Sequence, residues 1–220
     1  MRAKIELHNV DCMEYLATLE DNAFELAIVD PPYGIGEDGA KNHSRGSKYK
    51  ATQYKAKNWD KEPVNKNVLT EIQRCSKNQI IWGANHFANE FNSSSSGWIV
   101  WDKMEKTNDF STCELAYTSF NRGLRRYKFL WSGYWQGDMK NKEQRIHPTQ
   151  KPVKLYEWLL MNYAKEGDRI LDTHLGSGSI AIACHNLGFD LVGCELDTDY
   201  FNAAKKRLQQ HQSQLRIPMQ

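Results

Sequence analysis

The 220-residue sequence contains no apolar run long enough to span a bilayer. Its start shows no basic-then-apolar leader with a cleavage site, so the expectation is a cytoplasmic protein with no membrane partner. The five cysteines, Cys12, Cys75, Cys113, Cys184 and Cys194, are odd in number, widely spread and never paired as C-x-x-C, which argues against a disulfide framework or a zinc site. The seven histidines are scattered, and no metal is implied. Net charge is only +2, which by itself calls for no polyanionic partner. There is no internal repeat, and no G-x-G-x-x-G fingerprint supports a dinucleotide site. What is present, at this length, suits one soluble globular domain with an ordinary core.

The distribution of charge says more than its sum. Residues 41–61 hold Lys41, Arg45, Lys48, Lys50, Lys55, Lys57 and Lys61 among Tyr49, Tyr54 and Trp59; residues 122–145 hold Arg122, Arg125, Arg126, Lys128, Lys140, Lys142 and Arg145 among Tyr127, Trp131, Tyr134 and Trp135. Clustered cations between aromatics suit a phosphate backbone, because each neutralised phosphate releases counterions. Lys41, Arg45, Lys48, Lys50, Lys55, Arg122, Arg125 and Arg126 are therefore the candidate DNA contacts. A solvated charged face over packed aromatics is the other reading of either stretch.

Apolar periodicity predicts strands at 5–7, 25–30, 79–82, 98–101, 169–172 and 190–195, with further strands at 115–120 and 127–131 near a sheet edge. Helices are predicted at 11–19, 64–75, 85–91, 153–163, 179–187 and 199–210. Between 36 and 62 the pattern lapses into a glycine- and lysine-rich stretch, and loops of that length are generally functional or disordered. Ser93–Ser96 reads as a flexible connector, and the Gln-rich tail after Leu208 as frayed. Strands alternating with helices argue a mainly parallel sheet covered on both faces.

Two constellations carry chemistry. Asp30-Pro31-Pro32-Tyr33 closes a predicted strand, where an open parallel sheet places its ligands. An exocyclic amine on an aromatic ring is a poor nucleophile, and acceptors for both its hydrogens help it attack. Asp30 supplies one acceptor, a carbonyl of the rigid Pro31-Pro32 pair another, and Tyr33 a ring to stack on a base. The second is Asp172-Thr173-His174-Leu175-Gly176-Ser177-Gly178, between a strand and a helix, with small residues that admit a ligand to the backbone. Glu195, closing the next strand, is placed to accept from a ribose diol. Asn85 and His86 are candidates for lining a base pocket, the alternative being a helix cap and a core aromatic.

Together these motifs resemble the amino-methyltransferases of DNA, and their order along the chain, catalytic tetrapeptide first and cofactor glycines last, resembles the permuted beta class. His147-Pro148-Thr149-Gln150-Lys151-Pro152 and Asn9-Val10-Asp11-Cys12 are similar to further segments of that class. The resemblance implies an α/β three-layer sandwich, a mostly parallel seven-stranded Rossmann-like methyltransferase sheet with an antiparallel edge, in a single domain. Within it, residues 1–102 would be the catalytic half with a mobile loop near 36–62, 103–145 a small target-recognition region, and 146–220 the cofactor-binding half.

It also implies S-adenosyl-L-methionine as cofactor. Asp172, Gly176 and Gly178 would hold its methionine part, Glu195 its ribose and Asp11 its adenine, with Thr149 and Lys151 near its carboxylate and Cys12, His174, Leu175 and Ser177 as further cofactor contacts. His174 stands where many relatives carry phenylalanine. Double-stranded DNA is the implied partner, with the target base flipped out, and a homodimer would offset the small recognition region. The aspartate in the tetrapeptide leans to adenine N6. Cytosine N4 is the alternative acceptor, and a catalytically silent nucleic-acid-binding module the alternative of another class.

Overall fold

The computed structural model describes residues 3–39, 54–55, 57–91, 95–104, 111–132 and 134–214. Five strands run parallel in the order β1 (Ile5–His8), β10 (Asp190–Cys194), β9 (Arg169–Asp172), β2 (Phe24–Val29) and β3 (Ser76–Trp82). The sheet continues through β5 (Cys113–Thr118), antiparallel to both neighbours, then β4 (Ile99–Asp102) and β6 (Arg125–Lys128). The expected mostly parallel sheet is present. It has eight strands rather than seven, because Arg125–Lys128 adds a parallel strand outside β4, and the reversed strand β5 is internal rather than at the edge, because β4 pairs on its far side. The edge strand expected over 127–131 is β6, shifted to 125–128, and a separate hairpin follows it, pairing β7 (Trp131–Ser132) with β8 (Trp135–Gln136).

Both faces of the sheet are buried, and β2 shows why. Leu26 and Ile28 point into one apolar cluster, Ala27 and Val29 into the other, as the two-residue period of a strand dictates. The first cluster packs against α3 (Val153–Tyr163), α4 (Ser179–Leu187) and α5 (Thr198–Ser213); the second against α1 (Cys12–Leu16) and α2 (Lys66–Cys75). At ten residues α2 is too short to be stable alone. Burial of Leu69 and Ile72 on its inner face contributes roughly 3–6 kcal/mol together, and the Asn65 side chain caps its start by accepting from Asn67 N at 2.8 Å.

Local departures from the sequence reading have local causes. Residues 84–90 form two 3-10 turns, Ala84–His86 and Ala88–Glu90, instead of a helix over 85–91. Gly83 turns left-handed at φ 68° ahead of them, and Phe87 between them leaves helical geometry. Ser95 is pinned, its hydroxyl donating to the Thr118 carbonyl at 2.5 Å, while residues 92–94 lie outside the described segments. The final helix runs to Ser213, past the expected fraying at 208, because Leu208 is buried and His211 Nε2 meets Asn186 Oδ1 at 2.7 Å. No helix among the described residues is long and apolar enough to cross a membrane.

Candidate active site

From β9 the chain proceeds to β10 on one side, and from β2 to β3 on the other. The adjacent carboxyl ends of β9 and β2 therefore form the switch point where open α/β sheets bind ligands. A cleft of about 2140 Å³ opens there. Asp30 lines it at the end of β2, Thr173 and His174 follow β9, and Glu195 follows β10, while Asp11, Cys12, Thr149 and Lys151 reach it from flanking turns. Asp172 lies buried at the base of the β9 turn.

On the β2 side, Tyr33 Oη donates to Asp30 Oδ1 at 2.6 Å, and Lys151 Nζ reaches the same oxygen at 2.5 Å. Lys151 also donates to Tyr33 Oη at 3.0 Å and pairs with Glu114 Oε2 at 3.0 Å, while Lys103 holds Glu114 Oε1 at 2.6 Å. The expectation put Lys151 at the cofactor carboxylate. Its ammonium lies between the Asp30 and Glu114 carboxylates, 17% and 20% exposed, the strongest local attraction for a cation that is itself 3% exposed. Burial raises Asp30, with the Lys151 ammonium opposing it and Glu114 reinforcing it. Burial also pushes Glu114 up, but the two lysines outweigh it and hold its carboxyl down at about 2.

The tetrapeptide's backbone is held by a residue the sequence reading passed over. Asp60, 2% exposed, accepts from Tyr33 N and Gly34 N at 2.8 Å through Oδ1 and from Glu37 N at 2.7 Å through Oδ2. The Pro32 carbonyl accepts from Val64 N at 3.0 Å, and the Pro31 carbonyl accepts from no backbone N–H among the described residues. Tyr33 stacks on His86 with centroids 5.1 Å apart, and Gly83 makes room for it: a Cβ at Gly83 would sit 2.0 Å from the Tyr33 ring. Asn85 and His86 line the cleft beside them.

On the β9 side, Asp172 Oδ1 accepts from His174 N at 3.0 Å and Glu195 ties two turns together, accepting from Gly176 N at 2.8 Å and Asp197 N at 2.9 Å. A Cβ at Gly176, φ 51°, would meet the His147 ring and the His174 carbonyl at an ordinary 3.8 Å. Leu175 and Ser177 join it in the cleft wall, whereas Gly178 packs beneath, against Ala204. Burial, reinforced by Asp30 and Glu195, holds the Asp172 carboxyl up at about 8. Burial also keeps His174 neutral, down at about 4, with its Nδ1 2.8 Å from Thr173 Oγ1. Asp11 caps α1, accepting from Met13 N at 2.8 Å, and Thr149 Oγ1 lies 3.2 Å from His147 Nδ1.

The end of the lysine-rich stretch closes over this side. Lys57 bonds to Asp197 at 2.5 Å and to Asp199 at 2.9 Å at the start of α5, and Trp59 lies 5.1 Å from the His147 ring. Lys55 stands at the rim, 4.0 Å from Asp199. Lys41, Arg45, Lys48 and Lys50 lie outside the described residues. The other basic candidates are not brought to the cleft: Arg125 and Arg126 pair with the start of β4, at the opposite end of the sheet, and Arg122 donates to the Asn162 carbonyl at 2.7 Å across the rings of Phe120 and Tyr163. An acidic residue entering the otherwise apolar β5 was the available signal for Glu114; nothing local marks Asp60 or Lys103.

A family profile described as DNA methylase matches residues 24–206. The chain belongs to that family. Among curated members, the Type II methyltransferase M.HpaI of Haemophilus parainfluenzae is 25% identical over 236 residues, covering 90% of this chain and 72% of that protein. The fold resembles a putative DNA modification methylase from Thermus thermophilus solved with S-adenosyl-L-methionine, at a TM-score of 0.58 and 18% identity over 96% of this chain and 95% of that one. It resembles the cytosine-N4-specific PvuII DNA methyltransferase at 0.64 and 10% identity, over 100% of this chain and 89% of that one.

Proposed function

We propose that this DNA methylase transfers a methyl group from S-adenosyl-L-methionine to N6 of an adenine flipped out of duplex DNA. The observation that carries the reading is the meeting of Asp30-Pro31-Pro32-Tyr33 with Gly176 and Glu195 in one cleft at the ends of adjacent strands, with Asp172 buried in the turn behind them. The order of these segments along the chain supports the permuted beta class.

The residues fit that donor. Asp172 is buried and joined to no ammonium or guanidinium by an ion pair among the described residues, and its raised carboxyl favours a cationic ligand beside it. Asp172, Gly176 and the surrounding turn would hold the methionine part, Glu195 the ribose through its remaining lone pairs, and Asp11 the adenine. When bound, S-adenosyl-L-methionine supplies a methyl group made electrophilic by its sulfonium.

The chain's own residues do the rest. Asp30 and the Pro31 carbonyl accept the two amine hydrogens as the nitrogen loses planarity, and Asp30 takes the proton released. The Tyr33–His86 pair forms an aromatic wall for the base. Lys57 and Trp59 close the donor side against water, and Lys55 meets phosphates at the rim. Aspartate at the first position of the tetrapeptide is the feature that favours adenine.

Incubation with radiolabelled S-adenosyl-L-methionine and unmethylated genomic DNA, followed by digestion to nucleosides, tests the reading. Label in N6-methyladenosine that vanishes in Asp30→Ala is the expected result. Label in N4-methylcytosine would overturn the base, and absence of label from every nucleoside would overturn the reaction.

A further inference from the structure

Both hydrogen bonds that reach the Asp30 side chain end on one oxygen. Tyr33 Oη and Lys151 Nζ donate to Oδ1, and Oδ2 carries no bond among the described residues. Lys151 in turn directs its three donors at Asp30, Tyr33 and Glu114. Its Nζ also lies 5.4 Å from the ring centroids of both Trp82 and Tyr33. The turn that carries it is locked as well: the Gln150 carbonyl accepts from Trp131 Nε1 at 2.8 Å, and Gln150 Oε1 accepts from Ile146 N at 2.9 Å. A lysine fixed at its backbone turn and at its head is a rigid part of the acceptor wall.

We infer that Lys151 is the positioning residue for Asp30: with Tyr33 it clamps Oδ1, turning Oδ2 to the target amine. Glu114, braced by Lys103, fixes Lys151 from behind. The charge count favours this assignment. Asp30 and Glu114 are balanced by Lys151 and Lys103, whereas without Lys151 the cluster has an excess negative charge beside the buried Asp172. The groups acting electrostatically on Asp30 are Tyr33, Glu114, Lys151, Asp172 and Tyr156, and Lys151 is the cation among them. The inference rests on the proposed amine methylation and assigns Lys151 to the acceptor side rather than to the cofactor.

Lys151→Met and Lys151→Arg separate the possibilities, each measured for cofactor affinity by calorimetry and for kcat and KM on unmethylated DNA from pH 6 to 9. Expected for Lys151→Met is a kcat lowered about 100-fold or more, with cofactor Kd and DNA KM within about threefold. The acidic limb of its pH–rate profile moves to higher pH, because Asp30 then ionises later. Lys151→Arg recovers part of kcat and returns the limb toward its wild-type position. Because Lys151→Met leaves Glu114 buried with Lys103 as its one remaining cation, the double variant Lys151→Met/Glu114→Gln is the form measured if the single one melts early.

A cofactor Kd weakened as much as kcat/KM would overturn the inference in favour of a cofactor ligand. So would an unshifted pH profile, or a double variant that binds no cofactor. Wild-type protein inactive on every DNA would sink the proposed function instead, which keeps the two failures apart.

Discussion

The carboxylate of Asp60 accepts the backbone N–H of Tyr33 at 2.8 Å across 27 residues of sequence. With the bonds to Gly34 and Glu37, it makes the shape of the catalytic turn depend on the returning end of the lysine-rich stretch. The same segment places Lys57 on Asp197 and Asp199, so one strap touches both walls of the cleft. Asp60→Ala removes three hydrogen bonds to a carboxylate at once. We expect a loss of about 2–4 kcal/mol in unfolding free energy by denaturant titration. The kcat should fall on the order of 100-fold from misplacement of Tyr33, with cofactor affinity within about threefold. Unchanged kcat would mean that the turn holds its shape unaided.

Gly83→Ala tests the seat of Tyr33. The added Cβ would lie 2.0 Å from the Tyr33 ring, at a backbone φ of 68° that alanine tolerates poorly. The ring must move, and kcat should drop about 100-fold or more while cofactor binding persists. Gly167→Ala is the control, since it has the same left-handed strain, φ 87°, and nothing within 4 Å of the new Cβ. It should cost about 1 kcal/mol of stability and no activity. Equal loss of activity in both would remove the steric account.

Much of this architecture is legible in the residues. The Phe24–Val29 strand, the turn after Asp172 and the closing Glu195 each carry their own local pattern, and all three stand where the sequence placed them. What escaped sequence reading is long-range. Asp60 and Glu114 act on groups 27 and 81 residues away, and nothing in the local pattern reports such pairing. Lys151 was legible as a site residue but not as a neighbour of Asp30, 121 positions distant, because a motif fixes where a side chain starts and tertiary packing fixes where it ends. The strand added outside β4 is short and polar, with Arg125, Arg126 and Lys128 all exposed, so apolar periodicity could not bound it.

Asp172 trades stability for binding. A carboxyl raised from 3.8 to about 8 by burial holds a proton in the folded chain that the unfolded chain has released. Its contribution therefore falls as pH rises from about 4 to about 8. Asp172→Asn keeps the shape and removes that penalty. Without cofactor at pH 8, thermal melting should move up by about 2–4 °C, equivalent to about 1 kcal/mol for a chain of this size. Cofactor binding should weaken at least tenfold by calorimetry if Asp172 is the proposed negative partner of the cofactor's ammonium. A variant that melts lower and binds normally would place Asp172 among structural carboxylates.

His174 carries the opposite sign. Burial depresses it to about 4 from 6.5, so between those values the unfolded chain binds the proton and the folded chain does not. Stability from this group is intact above pH 6.5 and is lost as pH falls toward 4, by on the order of 3 kcal/mol at most. His147, held down at about 3 by burial and the Lys151 charge, acts in the same direction, and Asp172 opposes both. Comparing wild type with His174→Phe cancels those two, since both proteins retain them. Melting followed from pH 7.5 to 5 should show the phenylalanine variant gaining on wild type by several degrees at the acid end. Because the ring is neutral and tied to Thr173 Oγ1 at 2.8 Å, kcat at pH 8 should stay within about threefold. A fall of about 100-fold, the scale of a lost general acid or base, would instead make His174 a proton carrier.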